Sequence, residues 1–237
     1  MISKLKHFEN YIFLIILTAA NYWVWQLFSN NLDLGIILLV IELGLFILIT
    51  KKNLKKVYTI TLSVSVLLLL TISAFLLRGE FDQTLLTISP TETSILNQRH
   101  GYLIEGLGKI FPNKYIPYYK LQEYDTATGK YLQNIFYSLD PNLYFFQSHP
   151  REKAGIDEYN KYSPIVLPLF IAGVLFLTIY YRKYKFLILY SLLAILFTGF
   201  ISPNYKLGPI LMFPPVNIIL YLGLIAVILK VKPLFKK

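Results

Sequence analysis

The chain has no cysteine among its 237 residues, which excludes disulfide staples, thiolate metal sites and cysteine nucleophiles together. Charge is scarce as well. Only 15% of residues are charged and 55% are hydrophobic, whereas soluble domains carry about a quarter charged residues. Mean hydropathy is +0.53. This excludes an ordinary soluble domain and places the chain in the membrane class. Histidine is limited to three positions. His100 and His149 have no second ligand at helical spacing, so no metal site is expected. Nucleophile-elbow, phosphate-loop and zinc signatures are also missing, and no cofactor is implied.

What is present is apolar length and one-sided charge. Six runs approach the roughly 20 residues that a helix needs to cross a bilayer: 10–28, 34–50, 57–77, 163–181, 186–201 and 209–229. The net charge of +10 is no nucleic-acid patch, because it falls in four clusters beside these runs. The clusters are Lys4 and Lys6; Lys51, Lys52, Lys55 and Lys56; Arg182, Lys183 and Lys185; and Lys230, Lys232, Lys236 and Lys237. That makes 13 basic residues on one side, against Lys206 alone in the two short loops on the other. Lysine and arginine near span ends set orientation. The expected architecture is therefore an all-α integral protein of the cell membrane with both termini cytoplasmic. Residues 1–77 form a three-span part, 78–162 an extracytoplasmic helical region, and 163–237 a second three-span part. The first run continues through Trp23, Val24 and Trp25 with no clear small-x-small site after it. It therefore reads as a retained span rather than a signal peptide, with the tryptophans in an interfacial belt.

The region 78–162 carries nine basic and ten acidic residues and is close to neutral. Ser89-Pro90-Thr91-Glu92 is a capping-box pattern with proline at the first helical position. Leu96, Leu103, Ile104, Leu107 and Ile110 then recur on one helical face. A second helical stretch is expected after Asn113, faltering near Thr128-Gly129 and stopping at Asp140-Pro141. Ten of the 19 tyrosines lie in this region. Tyrosine is amphipathic and suits either a membrane surface or a carbohydrate face.

Few residues can carry chemistry. Glu42 stands in the middle of the second run, where an ionised carboxylate costs about 2.5–3.5 kcal/mol on insertion scales. It should face protein, with Asn21 and Asn217 as candidate partners, either as a proton or substrate site or as a hydrogen bond between helices. Pro214 and Pro215 open the sixth run and remove two backbone donors, most simply as a first-turn feature. Arg78, Arg99, His100, His149 and Arg151 are candidates for binding a phosphate near the outer surface, where the arginine fork matches phosphate oxygens. Glu80 and Asp82 are a close acidic pair at a span end.

Three stretches in order carry a resemblance. They are Asn97-Gln98-Arg99-His100-Gly101 with Asn113-Lys114; Leu143-Tyr144-Phe145-Phe146 with His149-Pro150-Arg151; and Ser202-Pro203-Asn204 with Leu211-Met212-Phe213-Pro214-Pro215. Over residues 70–229 the chain resembles the carboxy-terminal part of bacterial GT-C membrane glycosyltransferases, relatives of the protein mannosyltransferases. The resemblance implies a polyprenyl-phosphate-sugar ligand at the outer face. The acidic external loop that carries catalysis in that family has no counterpart, since the first loop is Ser29-Asn30-Asn31-Leu32-Asp33. Lys206 stands offset from the position where the family commonly has an arginine. The implied role is a lipid-linked-sugar binding or accessory subunit whose catalytic carboxylate comes from a membrane partner. Two rival classes are a small transporter using Glu42, built from oppositely oriented halves, and a structural or interaction protein with a tyrosine-rich external domain.

Overall fold

A computed structural model describes residues 2–51, 55–85, 87–95, 97–98, 115–146 and 161–231. The described chain is all-helical apart from an isolated antiparallel bridge between Phe81 and Ile201. In chain order the helices are α1 (Ile2–Ala19), α2 (Tyr22–Asn30), α3 (Leu32–Thr50), α4 (Lys56–Leu76), α5 (Tyr115–Leu139), α6 (Asn142–Phe145), α7 (Leu167–Ile179), α8 (Lys185–Thr198) and α9 (Phe213–Val231).

Three helical segments, Leu32–Thr50, Lys56–Glu80 and Ile210–Ile228, are long and apolar enough to cross a membrane. A fourth span results if α1 and α2 count as one. The six-run reading thus meets three or four segments of full length. The two remaining apolar helices, Pro164–Ile179 and Lys185–Thr198, are shorter. Turn bonds from Lys183 N to the Tyr180 carbonyl and from Tyr184 N to the Tyr181 carbonyl separate them. The first run also differs from the expected straight span: α1 and α2 meet at 68°. At the bend Asn21 takes extended φ/ψ and caps α2, its side chain accepting from Trp23 N at 2.9 Å. An Asn cap is a start signal, and it ends one helix by beginning another.

α9 is the central helix and packs against α1, α3 and α7. Its closest partner is α7. A Cβ built at Gly173 would lie 2.0 Å from the Ile219 carbonyl oxygen, and one built at Gly223 would lie 1.8 Å from the Leu169 carbonyl oxygen. Two glycines on facing helices therefore let the backbones touch, the small-residue packing that drives helix association in lipid. Gly173→Val is expected to force these helices apart at the roughly 1–3 kcal/mol typical of overpacking. Thermal melting of the purified protein in detergent should fall accordingly.

Aromatic side chains fill the end of the bundle where α2, α6 and α9 meet. Trp23 is fully buried, with edge-on contacts to Tyr144, Tyr162 and Phe213 at 5.8–6.0 Å between centroids. Its indole Nε1 donates to the Leu207 carbonyl at 2.8 Å, in a loop turned by Gly208 at φ 62°. The belt expectation therefore fails for Trp23, whose indole N–H found a protein acceptor. Trp25, 62% exposed, does face outward. Pro214 and Pro215 sit in the first turn of α9, where their missing donors cost little.

The capping box at Ser89 forms as the sequence indicates: Ser89 N donates to Glu92 Oε2 at 2.8 Å, and Glu92 N donates to Ser89 Oγ at 3.2 Å. The amphipathic pattern expected after it, Leu96, Leu103, Ile104, Leu107 and Ile110, lies outside the described residues. α5, by contrast, runs unbroken through Thr128-Gly129. Contacts immediately after the expected break hold it. Lys130 Nζ donates to the Thr84 and Thr87 carbonyls, each at 2.9 Å, and Tyr131 OH donates to the Leu196 carbonyl at 2.8 Å.

Candidate functional site

The break between α1 and α2 brings polar groups from four parts of the chain to one place. Glu42 of α3 is 2% exposed. Its Oε1 accepts from Thr18 Oγ1 at 2.7 Å and from Asn217 Nδ2 at 3.1 Å. Asn217 Oδ1 in turn accepts from Tyr162 OH at 2.7 Å and from Asn21 Nδ2 at 3.4 Å. The network thus ties α1, the α2 cap, α3 and α9 to Tyr162, which enters from the end of the segment between α6 and α7. The second oxygen of Glu42, Oε2, is buried with no hydrogen-bond partner among the described residues. All the partners of this carboxyl are neutral, so the cluster can bind and orient but offers no paired acid for acid–base work.

Beside the cluster the bent helices leave an apolar cavity of about 330 Å³, open on one side. α1 contributes Leu14, Ile15, Thr18 and Ala19; α2 contributes Val24, Trp25 and Phe28; and α3 contributes Leu39, Glu42 and Leu43. The cavity lies at the bend between α1 and α2, whose side chains form two of its walls. The cavity lies within the range of small-ligand sites, apolar with a few polar groups. Its mouth is flanked by outward-facing side chains such as Ile15, Trp25 and Leu43, so a ligand would enter from the apolar surroundings of the helices.

The sequence candidates divide clearly. Glu42, Asn21 and Asn217 come together. Thr18 and Tyr162 complete the cluster and carry no sequence signal of their own, since a threonine at a helix end and a tyrosine beside a span are commonplace. Arg78 and Lys206 are exposed. They stand on two loops joined by the bond from Ser202 N to the Glu80 carbonyl at 2.8 Å, and the Arg78 guanidinium lies 4.6 Å from the Phe75 ring centroid. Arg99, His100, His149 and Arg151 lie outside the described residues. A further cation that the sequence did not single out, Lys161, is buried with its ammonium 5.7 Å from the Trp23 ring. Among the described residues no three histidine or acidic side chains gather as a metal site.

Of the acids between α4 and α6, Asp82 is structural. It accepts from Thr84 N and Thr84 Oγ1 at 2.9 and 2.6 Å, and from Asn134 Nδ2 at 3.3 Å. Glu92 bonds the Ser89 backbone and pairs with Lys130 at 2.9 Å. The Ser89 N–H first, and Lys130 second, hold its carboxyl down at about 2, from an ordinary 4.5. A depressed carboxyl stabilises the fold above its unfolded value and loses that contribution as pH falls toward the folded one. Amide exchange over residues 87–95 should therefore be insensitive to this group above about pH 4.5 and lose protection progressively toward about pH 2. Lys130→Ala should raise the lower end of this window and reduce the total loss of protection, leaving its onset near pH 4.5.

The chain matches no family model, no curated protein and no solved structure.

Proposed function

We propose that this protein is a non-catalytic membrane subunit that binds a lipid-linked ligand, holding part of its apolar chain in the cavity at the α1–α2 bend. The observation that carries the reading is the cavity itself: apolar, open on one side, and lined by Thr18 and Glu42 among apolar side chains. In this reading α7 and α8 also cross the membrane, both termini are cytoplasmic, and residues 78–162 lie outside. A polyprenyl-phosphate-sugar, the ligand implied by the resemblance to GT-C glycosyltransferases, has the required chemistry: a long branched tail for the cavity and a phosphate for external cations. Arg78 and Lys206, with Arg99, His100, His149 and Arg151, are the groups for that phosphate. The carboxylate needed to activate an acceptor would come from a partner membrane subunit. Titration of the protein in nanodiscs with a polyprenyl-phosphate-hexose, read by tryptophan fluorescence through Trp25, should give saturable binding weakened by Arg151→Ala. A signal no different from added bulk lipid would end this reading.

A second reading has one observation in its favour: the helix break lies beside a buried carboxyl, a combination that transporters use for coupling ions. It predicts proton flux in liposomes that Glu42→Gln abolishes. The binding reading predicts no flux and leaves Glu42→Gln folded, because the amide oxygen still accepts from Thr18 and Asn217.

A further inference from the structure

Helix α5 is patterned opposite to a helix on a soluble domain. Its buried face is polar: Asn134 and Ser138 are buried, and Lys130 beside them is largely covered. These groups are satisfied there, Asn134 Nδ2 donating to the Gly199 carbonyl at 3.2 Å and Ser138 Oγ to the Ile135 carbonyl at 2.7 Å. The opposite face, at positions i, i+4 and i+7, is Leu132, Phe136 and Leu139, and all three are exposed, Phe136 at 66%. A third flank, with Thr126, Gln133 and Asp140, is polar. Such a helix has a protein side, an apolar side and a water side.

The apolar side is continuous with the outward surface of the bundle. Tyr131 packs on Phe200 with centroids 4.8 Å apart, and both Tyr131 and Ile135 crowd Gly199 at the end of α8. Leu192, Leu196 and Phe200 on and just beyond that helix are exposed. We infer that α5 lies in the membrane–water interface, with Leu132, Phe136 and Leu139 immersed among lipid chains beside the end of α8 and Gln133 in water. The occupant of this face is the bilayer itself, because the face extends the exposed apolar surface of α8, which crosses the membrane in the function proposed above. α5 carries Lys120 and Lys130 against Glu123 and Asp125, so its attachment is apolar rather than electrostatic and needs no anionic headgroup.

The absence of cysteine makes the test direct. Fluorophores are attached singly at Phe136→Cys and at Gln133→Cys in the full chain, reconstituted in phosphatidylcholine nanodiscs. Leu192→Cys on α8 serves as the lipid-facing reference, and thermal melting confirms folding of each variant. The Phe136 probe should be quenched severalfold more by lipids spin-labelled near the headgroup than by aqueous iodide, and the Gln133 probe should show the reverse. Added phosphatidylserine should change neither. Equal iodide quenching at both positions would place the helix in water and overturn the inference. Shielding of Phe136 from both quenchers would overturn it in favour of a protein partner or second copy, and a strong phosphatidylserine dependence would overturn the uncharged mode of attachment.

Discussion

Asn217→Leu is expected to lower the melting temperature of the purified protein by about 5–15 °C, since one kcal/mol corresponds to roughly 2–4 °C in a chain of this size. Asn217 is the hub of the buried network, donating to Glu42 Oε1 and accepting from Tyr162 OH and Asn21 Nδ2. A leucine there fits the volume but leaves three buried polar groups with one partner fewer. In water-soluble cores each such orphan costs about 1–3 kcal/mol; between membrane helices the mean is nearer 0.6 kcal/mol, because the unfolded helices also find partners. Three bonds at values between these two scales sum to about 2–4 kcal/mol. Asn21→Ala supplies the comparison. It removes the 3.4 Å bond and the α2 cap, and a lost cap costs about 1 kcal/mol. Melting curves in which Asn21→Ala is the more damaging of the two would show that the cluster is not organised around Asn217.

Ala19→Phe is expected to weaken binding of a lipid-linked ligand by tenfold or more while leaving the protein folded. Ala19 lies on the wall of the cavity at the end of α1 and is exposed, so a ring placed there occupies ligand space without entering the core. Its backbone carbonyl still accepts from Trp25 Nε1, a 2.9 Å bond that involves no Ala19 side-chain atom. A tenfold loss corresponds to about 1.4 kcal/mol, less than the roughly 1.5–3 kcal/mol for burying one large apolar side chain. Nanodisc titration of this variant against the unmodified chain, with melting curves as the folding control, measures it. Unaltered affinity would mean that any lipid ligand binds elsewhere.

The sequence made the membrane class legible because it rests on composition, and the Ser89 capping box because it rests on four adjacent residues. Glu42 was conspicuous for the same local reason, a carboxyl in an apolar run, and the two asparagines were the nearest neutral candidates. Distant geometry was not legible. The bend at Asn21 depends on an asparagine that could equally sit inside a continuous helix; only tertiary contacts, Trp23 with Leu207 and Asn21 with Asn217, favour the cap. The cavity lies at that bend and so has no linear signature. Trp23 and Trp25 are two residues apart with the same chemistry, yet α2 turns one inward and the other outward. The continuity of α5 across Gly129 was hidden for a related reason, since Lys130 and Tyr131 bond to carbonyls 46 and 65 residues away.

Photocrosslinking tests the central claim most directly. A polyprenyl-phosphate-hexose bearing a photoreactive group on its tail is irradiated with the protein in nanodiscs, and the modified residues are located by mass spectrometry. Binding in the cavity predicts crosslinks concentrated on Ile15, Ala19, Trp25 and Leu43 and suppressed by Ala19→Phe. Crosslinks spread evenly over the exposed faces of α3, α4 and α8, and unaffected by that substitution, would contradict it.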